Sequence, residues 1–341
     1  MVTLKDIAER LHISITTVSR ALAGYSDVSP ETIRLVRNTA TEMGYVPNSI
    51  AQRLQKKVTD TIGVVVPYSA KGYGEPFFSE LLAGIGKEAS EQGLDLLVAY
   101  AKREKELSFY KKLIDGRRVD GFVISRTLCH DERIDYLSSI DFPFASFGMV
   151  ENKQDFPFVE EDSDYAMACV VDHLAGKGHT RIACIAPPLS VMFSAVRLRA
   201  VRKHMELIGL SLPDEMVCIG SFDQKDGYVQ AHKLLDLPHP PTAIICFNDS
   251  IAFGAINAGK ERGLSIGTDL AITGFDDVPM AELYRPPLTT VRQPIADIGS
   301  LVTKLLIKAI QEKHPTYRAK ADGIEKMQII LCPTLIIRES S

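Results

Sequence analysis

The sequence predicts an α/β protein with a small helical N-terminal head and a body of two doubly wound, parallel-sheet subdomains. Three observations lead there. Residues 3–43 carry three amphipathic helix patterns, each opened by a capping residue. From Thr61 onward, near-continuous apolar runs alternate with helical stretches. Charge is also divided unevenly. Residues 1–60 hold eight Lys/Arg against six Asp/Glu, a net of +2, within a chain of net charge −4.

The head reads in order. Thr3 and Asp6 fit a capping box at a helix start, and Leu4, Ile7, Ala8 and Leu11 follow at i, i+3, i+4, i+7 on one face. Ser14 caps a second helix. Its Val18, Ala21 and Leu22 face inward, leaving Ile15, Thr16, Thr17, Ser19 and Arg20 outside. Ser29 caps a third helix with Pro30 at its first position, and Ile33, Val36, Ala40 and Met43 form its buried stripe. Two short helices joined by a tight turn, the second with a polar face ending in arginine, make a helix-turn-helix.

Gly44-Tyr45-Val46-Pro47-Asn48 stops the third helix. Residues 49–57 can form about two helical turns, below the roughly 12–15 residues a lone helix needs in water. This segment is either a plain linker or a helix that folds only against DNA or a second copy.

In the body, strands are expected at Ile62-Gly63-Val64-Val65-Val66 and Gly121-Phe122-Val123-Ile124, and near 94–99, 144–147, 181–186, 217–220, 243–247 and 270–275. Continuous apolar strands separated by helices mean parallel sheets covered on both faces. Such sheets bind ligands beyond their strand ends. A helix is expected at 295–311, with strands near 327–331 and 334–338. The expected domains are a head at 1–46, a hinge and linker at 47–60, and a body at 61–341. Within the body, one subdomain takes 61–158 and 290–318, the other 159–289 and 319–341.

Composition narrows the function. At 341 residues and 45% hydrophobic content, several cores are available. A weakly basic head on an acidic body suits contact with phosphate at one end only. Cysteines 129, 169, 184, 218, 246 and 332 are scattered, which reads as reduced thiols. The N-terminus has no apolar signal core and no apolar run reaches about 18 residues, so the protein is expected in the cytoplasm, away from membranes. Enzyme motifs are missing: Gly84-Ile85-Gly86-Lys87 lacks phosphate-loop spacing, and there is no G-x-S-x-G, H-E-x-x-H or C-x-x-C. His173 and His179 flank a turn and do not suggest a metal site. We expect no enzymatic activity, cofactor or metal.

The run T-L-K-D-I-A … T-T-V-S-R-A-L … V-S-P-E-T … G-Y-V-P-N … A-Q-R-L across residues 2–57 resembles the DNA-binding head of the lactose/galactose repressor (LacI/GalR) family. The resemblance implies a body of the periplasmic sugar-binding fold, with two subdomains, three crossovers and a cleft. It also implies a hinge helix whose leucine, here Leu54, wedges into the minor groove.

The implied DNA contacts are Thr3, Ser14, Ile15, Thr16, Thr17, Ser19, Arg20, Asn48, Ala51 and Leu54. Arg20 can bond a guanine edge bidentately. Ile15 and Thr16 can read base edges, while Thr17, Ser19 and Asn48 hold phosphates. One head reads few bases, so a homodimer on palindromic operator DNA is expected. The chain lacks a trailing leucine heptad, which argues against a tetramer.

The candidate effector residues are Phe77, Phe78, Arg197, Phe222, Asn248 and Asp276. Pro76-Phe77-Phe78 resembles the family's N-P-F-F turn, with Glu75 in place of Asn. Arg197 resembles the arginine of R-x-x-G, with Ala200 in place of Gly. Phe222 matches a position where the lactose repressor stacks a tryptophan on sugar. Asn248 and Asp276 stand at strand ends, where the family binds hydroxyls. Asp249 is expected to cap the next helix, and Asp162 either closes the cleft or caps its own. A carboxylate, an amide and a guanidinium around an aromatic face suit a sugar. Residues 124–127, Asp131, Arg133 and 142–144 resemble regulators of α-galactoside and α-glucoside use.

The expected mechanism is release: sugar closes the cleft, the hinge helices lose their partners, and operator affinity falls. The alternatives are a corepressor-dependent regulator or activator, and a cytoplasmic sugar-binding protein. His12 replaces the turn's usual glycine and is less comfortable if that turn needs positive φ.

Overall fold

A computed structural model describes the chain apart from Met1, Ser26, 46–57, 68–75, 152–154, 316, 318, 320–322, 324 and 325. The hinge segment, with Asn48, Ala51 and Leu54, lies outside the described residues, as does Glu75. The chain divides into two compact units, Met1–Thr59 and Asp60–Ser341.

The first unit holds α1 (Leu4–Leu11), α2 (Ile15–Ala23) and α3 (Pro30–Glu42). The capping box at α1 is complete: Asp6 N donates to Thr3 Oγ1, and Thr3 N donates to the Asp6 carboxylate at 2.8 Å. That backbone bond holds the Asp6 carboxyl below its ordinary pKa. Ser14 and Ser29 accept from Thr17 N and Thr32 N at 3.0 and 3.2 Å, capping α2 and α3. Ile7, Ala8, Val18, Ala21, Val36 and Ala40 form the core where the three apolar stripes meet. His12 adopts φ +53°, so the turn does require the left-handed region.

The second unit begins with β1 (Thr61–Pro67), α4 (Pro76–Glu91), β2 (Asp95–Ala101), α5 (Glu106–Asp115), β3 (Gly121–Ile124), α6 (Glu132–Ser139), β4 (Phe144–Phe147) and β5 (Phe158–Glu161). It continues with α7 (Ser163–Gly176), β6 (Ile182–Ala186), α8 (Met192–Leu207), β7 (Val217–Ile219), α9 (Gln224–Leu235), β8 (Ala243–Cys246), α10 (Asp249–Glu261), β9 (Ala271–Asp276), α11 (Pro279–Leu283) and β10 (Thr289–Arg292). The last elements are α12 (Ile295–Lys313), β11 (Gln328–Leu331) and β12 (Thr334–Ile336).

Two six-stranded sheets result, ordered β11-β5-β4-β3-β1-β2 and β12-β10-β9-β8-β6-β7. Every pairing is parallel except β10 with β12. The chain passes between the sheets three times: after β5, after β10, and between β11 and β12. These pairings correct the expected subdomain bounds. Residues 290–292 belong to the second sheet, not to the returning segment, while residues 159–161 and Gln328–Leu331 belong to the first sheet, not the second. The physical reason is that a short strand carries no mark of its partner, and both sheets had an edge to offer. Gln328–Leu331 alternates exposed and half-buried, as an edge strand does.

Gly84, which failed as a phosphate-loop residue, packs α4 on α12. A Cβ there would strike the Ala296 carbonyl, and one on Gly299 would meet the Leu81 carbonyl. The two helices touch backbone to backbone, fixing one face of the first sheet.

Candidate DNA-reading helix and ligand cleft

In the head, α2 exposes Ser14, Ile15, Thr16 and Arg20, with Thr17 and Ser19 half-buried and Thr3 exposed at the start of α1. Ser14 is engaged as a cap, its Oγ 2.8 Å from Thr17 Oγ1. Thr16 and Arg20, four residues apart, are neighbours on the helix surface. Arg20 pairs with Asp27 and lies over the Tyr25 ring, neither of which the sequence reading had singled out.

In the second unit, a cleft opens at the carboxyl ends of the strands of both sheets. That position follows from parallel topology, which gathers strand ends on one side. The first subdomain supplies Phe77, Arg126, Thr127, Phe147, Gly148, Glu160 and Glu161; the second supplies Phe193, Arg197, Phe222, Phe247, Asn248, Asp276 and Gln293. Five of the expected six effector residues line it. Phe78 does not. It lies edge-on to Phe77 and beneath Arg126, whose guanidinium carbon is 5.0 Å from its ring and 4.4 Å from that of Phe222. The helical turn that carries two adjacent aromatics can aim only one at the cavity. Phe77 stacks on Phe147 at 5.9 Å.

Arg197 is 3% exposed and its guanidinium is committed. Nη2 pairs with Glu161 at 2.6 Å, Nη1 donates to the Phe247 carbonyl at 2.8 Å, and Nε reaches Ser163 Oγ at 3.5 Å. Its plane covers Phe275, with the guanidinium carbon 3.3 Å from the ring centroid.

The roles at Asn248 and Asp249 differ from expectation. Asn248 itself caps α10, accepting from Ile251 N at 2.7 Å, and its Nδ2 donates to the Phe222 carbonyl. Asp249 instead accepts from Val278 N at 2.8 Å and from Thr290 Oγ1. Capping geometry falls to the residue before the first helical turn, which is Asn248. Burial pushes the Asp249 carboxyl up to about 7 against those two bonds. Asp162 accepts from Tyr165 N at 2.9 Å, so it caps α7.

Asp276 ends β9 at φ +112° and accepts from Gln293 Nε2 at 2.7 Å. Gln293 is 4% exposed, and its Oε1 is a buried acceptor with no partner among the described residues. An unsatisfied buried acceptor on a cavity wall is a place for a ligand donor. Glu160 accepts from Met149 N at 2.9 Å. Burial, and then the charge of Glu161, push the Glu160 carboxyl well above the carboxylate range. Burial works against Glu161 too, but Arg197 outweighs it and holds Glu161 below the ordinary value.

Arg126 sits at φ +53°. Arg133 holds that turn, donating to the Ser125 and Arg126 carbonyls at 3.4 and 3.1 Å while pairing with Asp131 and Glu106. Sequence reasoning did not single out Glu160, Glu161 or Gln293 as ligand residues. The strand-end argument that selected Asn248 and Asp276 applies equally to them.

No helix among the described residues is long and apolar enough to cross a membrane. Among the same residues, no group of three His, Cys, Asp or Glu could hold a metal ion.

Comparison with known proteins agrees with this anatomy. Residues 3–48 match the family model of bacterial regulatory proteins, lacI family, and residues 171–341 match the periplasmic binding protein-like domain. The chain is 36% identical to the HTH-type transcriptional regulator AglR of Rhizobium meliloti (strain 1021), over 91% of this chain and 88% of that one. A lac repressor dimer bound to operator and the anti-inducer ONPF has a TM-score of 0.83 at 27% identity, covering 99% of this chain and 98% of that one. A complex of the transcriptional regulator CelR with cellobiose has a TM-score of 0.76 at 27% identity, with both chains fully covered. A DNA-binding helix-turn-helix head joined to a body of this kind defines a transcriptional regulator. The chain belongs to the LacI family.

Proposed function

We propose that the protein is a cytoplasmic, homodimeric repressor of a carbohydrate-utilisation operon, released from palindromic operator DNA by a sugar bound in the body's cleft. The observation that carries the reading is the chemistry of the cavity wall. Glu161 and Arg197 neutralise one another, burial pushes the Glu160 carboxyl towards its neutral form, and Arg126 and Asp276 bring one charge of each sign, so the wall offers little net charge to an ionic ligand. Asp276, Asn248 and Gln293 offer polar groups beside Phe77, Phe147, Phe193 and Phe222. Hydroxyls bond to such groups while a C–H face stacks on the rings. An α-linked oligosaccharide is the proposed class, on the resemblance of residues 124–127, Asp131, Arg133 and 142–144 to regulators of α-galactoside and α-glucoside use; CelR, of the same fold and in complex with the β-linked disaccharide cellobiose, supports a sugar and not the linkage.

On the DNA side, Arg20, Thr16 and Ile15 read base edges. Thr3, Ser14, Thr17, Ser19 and Asn48 hold the backbone, and Ala51 and Leu54 belong to a hinge helix that enters the minor groove. The test is operator selection from a random palindromic pool by the full chain, followed by binding at fixed salt against a panel of sugars and sugar phosphates. Release by an uncharged α-linked sugar supports the reading. A ligand that strengthens binding reverses the regulatory sign, and release only by a sugar phosphate contradicts the neutral-cleft argument.

A further inference from the structure

The turn that closes α2 folds back onto the arginine assigned to base reading. Gly24, at φ +74°, ends the helix, and Tyr25 N donates to the Arg20 carbonyl at 3.1 Å. This double-back is a helix C-terminal motif set by backbone bonds. It brings Tyr25 and Asp27 beside the Arg20 side chain. Arg20 Nε donates to Asp27 Oδ1 at 3.2 Å, Nη2 pairs with Oδ2, and the guanidinium carbon lies 5.2 Å from the Tyr25 ring centroid.

A guanidinium is a rigid plane with five donors on two usable edges. Asp27 takes the Nε/Nη2 edge. The end fork, Nη1 with the outer hydrogen of Nη2, points away from Asp27, and Nη1 has no hydrogen-bond partner among the described residues. That end fork matches the paired acceptors N7 and O6 of guanine. The arginine is about half exposed, on the same face as Thr16.

We propose that Asp27 is a positioning residue for sequence recognition: it braces Arg20 so that the guanidinium's end fork is presented to guanine. The proposal rests on the reading that Arg20 contacts a base. Its cost is a carboxylate held near DNA phosphates, so the brace trades general affinity for discrimination. That trade gives a signature no merely structural role would produce. Without Asp27, preference for guanine falls while binding to random-sequence duplex rises.

The experiment uses the full chain as wild type, Arg20→Ala, Asp27→Ala, Asp27→Asn and Asp27→Glu. Palindromic DNA is selected with wild type, and competition at fixed salt then measures the base preference at every position. Arg20→Ala identifies the position read. At that position Asp27→Ala is expected to lower guanine preference by about three- to tenfold, within the range of one bidentate contact. Asp27→Glu restores much of it, and Asp27→Asn, which keeps the shape without the charge, lies between. Random-duplex affinity is expected to rise in Asp27→Ala and Asp27→Asn. If Arg20→Ala relaxes guanine preference and Asp27→Ala does not, the brace is refuted while base reading by Arg20 stands. If Asp27→Ala weakens all sequences equally, Asp27 merely supports the fold and the proposal fails. If Arg20→Ala relaxes no position, the reading of Arg20 fails and the brace with it.

Discussion

Glu161 Oε1 lies 2.6 Å from Arg197 Nη2, and both side chains are more than nine-tenths buried. The pair joins the last strand of the first sheet's N-terminal run to a helix of the second subdomain. It thus ties the two sides of the cleft at its floor. A buried ion pair adds little net stability, but breaking one side of it leaves an uncompensated charge.

Glu161→Met is therefore expected to destabilise the body by about 3–5 kcal/mol. The double variant Glu161→Met with Arg197→Met should lose much less than the sum of the two single changes, since the partners are coupled. Urea denaturation midpoints of the singles and the double measure this. Additive losses would contradict the coupling.

Asp249 predicts a pH dependence with a definite sign. Burial raises its folded pKa to about 7 from an ordinary value near 3.8. The stability it contributes is thus fully present below about pH 4 and is lost as pH rises through about 7. The loss approaches about 4 kcal/mol. Asp249→Asn keeps an acceptor for Val278 N and removes the charge. Denaturation at pH 5 and pH 8 should show a smaller decline in the variant than in wild type.

Asp276→Ala should leave operator binding intact and abolish release by ligand. Gln293→Leu removes both the bond to Asp276 and the free acceptor, and should weaken ligand binding by about tenfold or more, the scale of a hydrogen bond to a charged group. Calorimetric titration with the releasing sugar checks both variants. Unchanged affinity would take these residues off the ligand wall.

Gly84→Ala should destabilise the body by about 1–3 kcal/mol through overpacking against α12. Thermal melts of the full chain report it. A neutral change would mean that the two helices can part without cost.

Much of this anatomy could be read from the chain, for identifiable reasons. The head is local: each helix carries its own cap and stripe, so Thr3, Ser14 and Ser29 announce their roles within three residues. Parallel strands and cleft residues such as Asp276 follow from apolar runs ending in a polar residue. Strand partnership did not follow, because the four residues of β11 say nothing of which sheet edge will take them. Nor did the Glu161–Arg197 pair, whose members stand 36 residues apart and meet only once both subdomains are built. That Asn248 and not Asp249 caps α10 turned on a single step of backbone geometry.

The central claim is that operator binding and cleft occupancy oppose each other in one molecule. The direct measurement is ligand affinity with and without saturating operator, beside operator affinity with and without saturating ligand. Coupling requires the two ratios to be equal, and release requires both to show weakening. Equal ratios above one are the expected result. A ligand affinity that operator DNA leaves unchanged would contradict the account.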